Sequence, residues 1–379
     1  MGPLRGFKVI EFGSIGPAPF TAMLLADMGA EIARIDRNDP VELGVQRNPR
    51  YELNRRNRRS IGINLKCKEG VQLALDLIRQ ADALIEGFRP GVMERMGLGP
   101  QACSGINPRL VYGRMTGWGQ DGPLAQTAGH DINYIALAGA LNYIGIKGQR
   151  PSPPLSLLGD NGGGGVYLAF GIVCALLESG KSGQGQVVDA AIIDGVTSLA
   201  TPMHGREQAG DFGARGENAS DGNVPWYSAY ETRDHKWVTV GAIESRFYRE
   251  LLVRLGLDKE NLPGQQDKAG WPALRHRFEE IFSQRTRDEW VKVFEGSDAC
   301  FAPVLELAEV RQHPHAVARG MFKVVDGIEH PMPAPRFSRT IPEVASGPAL
   351  AGEHTEIVLL DWGFSDADIA SLRTAGAIN

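Results

Sequence analysis

Two potential proton carriers stand about thirty residues apart in similar settings: Gly129-His130-Asp131, and Leu158-Gly159-Asp160-Asn161 followed by four glycines, Gly162 to Gly165. After His130 come Ile132, Tyr134, Ile135, Leu137, Ala138 and Leu141. After the glycines come Val166, Leu168, Ala169, Phe170, Ile172, Val173, Leu176 and Leu177. Both sets have helical spacing, so His130 and Asp160 are each expected at a helix start. A helix start exposes N–H groups without partners and a positive dipole end, which keep a carboxylate ionised and an imidazole neutral. Two such bases suit proton transfer at a carbon acid. Taken singly, His130 reads as a structural histidine and Asp160 as an N-cap, a role compatible with catalysis. Four glycines opening a helix cost conformational entropy, and are read as backbone that a ligand approaches closely.

The remaining chemistry-bearing residues divide into a cluster and scattered singles. Arg47, Arg50, Arg55, Arg56, Arg58 and Arg59 crowd one segment, with Arg37 before it and Lys66 after it. Each alone reads as a solvated side chain. Together, on a chain of net charge −5, they read as a receptor for a small polyanion such as the phosphates of coenzyme A. Arg89, in Phe88-Arg89-Pro90-Gly91 after a strand end, is a further candidate. Glu244 closes a strand, where it either orients an imidazole or caps the helix that starts at Ser245. The other histidines lack partners at metal-ligand spacing, so no metal is expected. The first strand, turn and helix are Rossmann-like, but Gly13-Ser14-Ile15-Gly16-Pro17 lacks the GxGxxG spacing, which argues against a nicotinamide or flavin.

The elements that position these residues alternate in βα order. Strands are expected at Phe7–Phe12, Glu31–Ile35, Ala83–Ile85, Leu110–Met115 and Val187–Val188, with helices at Pro17–Met28 and Gly70–Ala81. That order predicts an α/β fold with a parallel sheet, and ligands at the carboxyl ends of its strands. A glycine-rich, polar stretch over 205–224 reads as a linker. It leads to a smaller α+β domain over 225–310, with a hairpin about Thr232-Arg233-Asp234-His235 and helices at Phe247–Leu255, Pro272–Phe282 and Arg287–Glu295. A return linker over 311–324 brings the chain back, so that 1–204 and 325–379 form the large domain. Prolines 331, 333 and 335 enforce an extended crossing before two terminal helices.

Composition narrows the function classes. The 379 residues include 42% apolar side chains, 47 Gly and 23 Pro, in keeping with a soluble two-domain α/β enzyme. An acidic balance gives a nucleic-acid role no support. Four cysteines without a CxxC pair argue against a zinc site or a disulfide framework, and for a reducing compartment. No signal peptide or peroxisomal address is visible, and the apolar stretch at Val166–Leu177, interrupted by Gly171, reads as too short to span a bilayer. A cytoplasmic protein without membrane partners is expected.

The motifs carry a resemblance over nearly the whole chain. Arg34-Ile35-Asp36-Arg37, Asn64-Leu65-Lys66, Phe88-Arg89-Pro90-Gly91, Met115-Thr116-Gly117-Trp118-Gly119-Gln120, Gly129-His130-Asp131-Ile132-Asn133-Tyr134, Gly183-Gln184-Gly185-Gln186-Val187-Val188-Asp189, Met332-Pro333-Ala334-Pro335-Arg336-Phe337-Ser338 and Gly352-Glu353-His354-Thr355 resemble the family III CoA transferases. The resemblance implies a Rossmann-like large domain, a small domain, and two subunits interlocked as a homodimer. It places His130 and Asp160 at two catalytic positions and Glu244 at a supporting one, contributed either by the same subunit or by its partner. It places coenzyme A against Arg37, Ile63, Asn64, Leu65, Lys66, Arg89, Gly129, Asp131, Ile132, Asn133 and Tyr134. The implied activity is inversion of the α-carbon of 2-methylacyl-CoA thioesters, by two-base proton transfer through an enolate and without a cofactor beyond the coenzyme A of the substrate. In that reading backbone N–H groups at the glycine-rich helix start stabilise the enolate. The alternative is a CoA transferase in which Asp160 takes the acyl group as a mixed anhydride. A third reading is a silent CoA-binding scaffold, against which the intact His130 and Asp160 argue.

Overall fold

Chain order brings the elements in as follows, in a computed structural model that describes residues 2–37 and 47–379. Strand β1 (Lys8–Phe12) runs into α1 (Pro17–Asp27), whose first turn holds Pro17 and Pro19, where proline costs no hydrogen bond. Next come β2 (Glu31–Asp36), β3 (Arg59–Gly62), α2 (Lys68–Arg79) and β4 (Ala83–Glu86). Helix α2 buries Leu73, Ala74, Leu77 and Ile78 on one face, with Glu69 in its first turn and Arg79 in its last, both favourable to the dipole. Short helices α3 (Val92–Arg95) and α4 (Pro100–Ile106) lead to β5 (Val111–Thr116) and α5 (Asp131–Leu137). A π-helical segment, Leu157–Val166, continues without a break into α6 (Tyr167–Ser182), followed by β6 (Val187–Ala191) and α7 (Ile192–Leu199).

Among the described residues these strands form one parallel sheet of order β3-β2-β1-β4-β5-β6. Strand order reverses between β1 and β4, where an open α/β sheet leaves a crevice at its carboxyl edge. The sheet's apolar residues, among them Ile10, Phe12, Ile35, Ile61 and Leu84, form a core with α2 and the C-terminal helices.

The chain divides into two compact units. One comprises Met1–Ala138, Leu155–Leu199 and His315–Asn379; the other comprises Gly139–Pro154 and Ala200–Pro314. The second unit holds α8 (Thr201–Gln208), the antiparallel sheet of β7 (Tyr227–Glu231), β8 (Trp237–Gly241) and β9 (Phe301–Pro303), and helices α9 (Ser245–Leu255), α10 (Trp271–Phe282) and α11 (Arg287–Phe294). Its core is aromatic: Trp226, Tyr230, Phe278, Phe282 and Trp290 pack edge-to-face or stacked. After α12 (Leu307–Val310) and α13 (Pro314–Ala318), the chain forms the hairpin β10 (Phe322–Val325) and β11 (Ile328–Pro331). It ends in α14 (Thr355–Asp361) and α15 (Asp366–Thr374).

Several expectations are corrected. The α/β class and the parallel sheet hold, but a further strand, β3, begins at Arg59, the last arginine of the cluster, where the sequence pattern predicts none. Its apolar run, Ile61 and Ile63 around Gly62, is too brief to show a period. The stretch 139–154 belongs to the second unit. The supposed linker over 205–224 starts inside α8 and is part of that same unit. The apolar stretch around Gly171 is one helix of 26 residues, Leu157–Ser182, long and apolar enough to cross a membrane by length and composition. Its Leu168 and Ile172 pack against Gly113 of β5, while Phe170 and Leu177 face outward.

Candidate active site

The turns that leave β1, β4 and β5 enclose a cavity of about 310 Å³ at the carboxyl edge of the sheet. Ile15, Gly16 and Pro17 come from the first turn, Gly87 to Pro90 from the second, and Met115 to Trp118 from the third. His130, Tyr134 and Asp160 complete the wall, with Ile192 from α7. The sequence placed the two proton carriers in separate segments; the fold opens both into one cavity.

Each wall segment is held by contacts that the chain's chemistry requires. Glu86, fully buried at the end of β4, accepts the Phe88 N–H at 2.7 Å and the Arg114 Nε at 2.9 Å, which fixes the Phe88-Arg89 turn. Arg114 also donates to Glu94 at 2.8 Å, so the buried carboxylate is part of a satisfied network. Tyr134 lies edge-on to Trp118, with ring centroids 4.7 Å apart, and its hydroxyl donates to the Gly129 carbonyl. A Cβ at Gly117 would overlap the Tyr134 ring, and one at Gly129 would sit 2.7 Å from it, so both glycines make room for that ring. Burial, with the Asp160 charge behind it, pushes the Tyr134 phenol up to about 12.

His130 is the exposed N-cap of α5 in extended conformation, and its N–H donates to Asn133 Oδ1 at 3.0 Å. Asp160 stands in the first turn of the π-helical segment, four residues after its Ser156 N-cap, rather than at a helix start behind which glycines lead. Its carboxyl is not held ionised as expected. Burial first, and the negative charge of Asp131 second, push it up to about 6, against the lowering influence of His130 and of a hydrogen bond from Ser156. The glycine run is also corrected: Gly163, Gly164 and Gly165 are buried against other helices. A Cβ on Gly163 would lie 2.6 Å from Val196 Cγ2, and one on Gly165 would lie 2.7 Å from Phe20 Cδ1, so the run lets three helices pack closely. Its N-terminal N–H groups are already engaged, Asp160's by Asp131 at 2.6 Å and Asn161's by the Ser156 carbonyl at 3.1 Å.

The arginine segment is the largest correction. Arg58 is buried on Glu11, Arg56 on Asp27, and Arg34 on Asp36. Arg59 bridges Glu31 and Asp361, Arg55 pairs with Glu52, and Arg50 donates to the Asp326 carbonyl. These guanidinium groups hold the sheet edge and the C-terminal segment together, and all of them except Arg50, which meets a backbone carbonyl, are paired with carboxylates. Of the other expected coenzyme contacts, Ile63 is a core residue and Asn64 ties to the C-terminal residues Gly376 and Ala377. Leu65 packs on the core from its rim. Lys66, Arg37 and Arg89 are exposed, and Arg89 faces the cavity. Asp131 is buried and turned away from the cavity onto the Asp160 backbone; Ile132 and Asn133 are exposed on α5. Glu244 lies in the second unit, exposed at the N-cap of α9 without a capping hydrogen bond.

A family model described as CoA-transferase family III matches residues 4–355. The chain belongs to CoA-transferase family III. Within this family it is 42% identical over 376 residues to the alpha-methylacyl-CoA racemase of Mus musculus, covering 98% of this chain and 96% of that one. It is 40% identical over 377 residues to the protein of the same name from Homo sapiens, again covering 98% and 96%. Among solved structures, a CAIB/BAIF family protein from Brucella suis superposes with a TM-score of 0.82 at 26% identity, covering 95% of this chain and 99% of that one. The family and the fold read from the motifs are thereby borne out.

Sequence reasoning missed the residues that shape the family III cavity without titrating, notably Ile15, Phe88, Met115 and Trp118. Their position at or just beyond the carboxyl ends of strands β1, β4 and β5 was the available signal.

Proposed function

We propose that this family III enzyme inverts the α-carbon of 2-methylacyl-CoA thioesters, with His130 serving one face of the carbon and Asp160 the other. The observation that carries the reading is that one imidazole and one carboxyl of raised pKa open into the same cavity at the sheet's switch point. Its relatives named as racemases support the same chemistry. In one direction Asp160 takes the α-proton as a carboxylate and His130 returns a proton as an imidazolium; in the other the roles exchange. A carboxyl raised to about 6 is a stronger base than an ordinary aspartate when ionised and still a usable acid when protonated, so Asp160 can serve in both directions.

The enolate oxygen needs donors, and the glycine-rich segment cannot lend those already engaged. The first-turn N–H groups of α5, at Asp131 and Ile132, precede any intrahelical acceptor and stand beside His130, so they are the better candidates. Such a donor is worth about 3–4 kcal/mol in comparable sites. Arg89, exposed on the cavity wall, would meet the polar arm of the coenzyme, and Phe88, Met115 and Trp118 would exclude water from the reacting carbon. The thioester acidifies its own α-proton, so the reading requires no further cofactor. An outward apolar face on α6, with Phe170 and Leu177 exposed, and the free edge of β6 support a homodimer, in which Glu244 of one copy would assist the site of the other. Four free cysteines suit the cytoplasm.

Transfer of coenzyme A through an Asp160 anhydride uses the same carboxylate, but it gives His130 no proton to carry. Incubation of either epimer of a 2-methylacyl-CoA in deuterated water separates the two. Inversion predicts α-deuteration and epimerisation without an acceptor acid. A requirement for a carboxylate acceptor, with no exchange, would establish the transferase instead.

A further inference from the structure

Asp131 is buried, outside the cavity wall, and its Oδ2 accepts the Asp160 N–H at 2.6 Å. The residue before Asp160 is shaped to allow it, because a Cβ on Gly159 would overlap that same oxygen and lie 3.0 Å from Ile135 Cγ2. Asp131 is also the first residue of α5, covalently next to His130. One side chain therefore ties the backbone of one proton carrier to the backbone of the other. Taking the two-base reading as its starting point, we infer that Asp131 is a positioning residue that sets the spacing of His130 and Asp160 across the substrate carbon and keeps a negative charge beside the Asp160 turn.

That charge has a chemical consequence. The groups acting on Asp160 are Asp131 and His130 from the start of α5 and the Ser156 hydroxyl from its own segment. Tyr134 and Arg89 share its cavity. From α1 the packed neighbours are Pro17 and Phe20, and from α7 they are Ile192 and Val196, none of which titrates. Asp131 is thus the negative group that opposes ionisation of Asp160, and burial works in the same sense. Its removal returns Asp160 toward an ordinary aspartate, a stronger acid and a weaker base.

Two variants separate position from charge. Asp131→Asn keeps an oxygen that can accept the Asp160 N–H and removes the charge; Asp131→Ala removes both. Folding of each is checked by circular dichroism and thermal melting. Asp160 is followed directly by its carboxyl carbon resonance, with selective labelling, as pH is varied, and α-deuterium exchange gives kcat and KM. Asp131→Asn is expected to lower the Asp160 midpoint and to keep most of the exchange rate at alkaline pH. Asp131→Ala is expected to lose about a hundredfold in kcat with little change in KM, the scale of a small misplacement of a reacting group. An unchanged Asp160 midpoint in Asp131→Asn, or an Asp131→Ala protein that exchanges at the wild-type rate, overturns the inference. Wild-type protein that exchanges no α-proton at all would instead defeat the inversion reading, while the carboxyl titration would still report on Asp131.

Discussion

The Arg58 guanidinium donates to both carboxylate oxygens of Glu11, at 2.9 and 2.8 Å, with both side chains fully buried beneath the sheet edge. Its Nη1 also reaches the Pro19 carbonyl at 3.0 Å, which ties β1 and α1 to the start of β3. Removing one partner of such a pair strands the other charge in a poorly solvated site. Arg58→Met is therefore expected to destabilise the protein by about 3–5 kcal/mol in urea unfolding. The KM for acyl-CoA, measured on the folded fraction, should not move. A weakened KM with unchanged stability would return this arginine to a coenzyme-binding role.

The glycine run makes a packing prediction. Gly195 of α7 lies against the Gly163 carbonyl so closely that a Cβ there would overlap it. Backbone cannot yield as a side-chain tip can, so Gly195→Ala is expected to cost about 1–3 kcal/mol. It should also slow exchange, because the displaced segment carries Asp160. A variant of wild-type stability and rate would show that the close approach is not needed.

Much of this was legible in the residues and some was not. The βα alternation is plain, because β1, β2, β4 and β5 each centre on buried apolar residues, such as Val9-Ile10, Ile32-Ala33, Ala83-Leu84-Ile85 and Val111-Tyr112, and α2 has a clear apolar face. His130 and Asp160 stand out by their flanking glycines. What pattern cannot give is the partner of a charge. Arg56 and Arg58 look like a phosphate receptor until folding brings Asp27 and Glu11, from distant segments, onto them. Asp131 likewise reads as part of a ligand-binding motif, and only the third dimension turns it onto the Asp160 backbone. Periodicity also cannot distinguish a glycine that meets a ligand from one that meets another helix.

The raised carboxyl of Asp160 links function to stability. Its folded pKa of about 6 lies above the ordinary 3.8, so the fold favours the protonated form. Stability from this group is complete below pH 4 and is lost as pH rises through 6. Asp160→Asn removes the titration, so the variant is expected to melt above the wild type at pH 8, with the gap closing toward pH 4. Differential scanning calorimetry across that range checks it; a gap independent of pH would contradict it.

The same group sets a kinetic limb. Asp160 must be ionised to remove a proton, so exchange from the epimer it serves should rise through a midpoint near 6 rather than near 3.8. The His130→Ala protein isolates this limb, since Asp160 is then the remaining carrier, and loss of the lowering influence of His130 shifts its midpoint further upward. Stopped exchange measured between pH 4 and 8 gives the midpoint directly, and a plateau already reached at pH 5 would rule out the raised carboxyl.

The most direct test of the two-base account is exchange from each separate epimer by each single-base variant, in deuterated water and scored by mass before inversion is complete. His130→Ala is expected to label one epimer, Asp160→Asn the other, and each to invert neither, with losses in inversion on the order of 10²–10⁴. If both variants label the same epimer, or if either still inverts at the wild-type rate, then His130 and Asp160 do not serve opposite faces of one carbon.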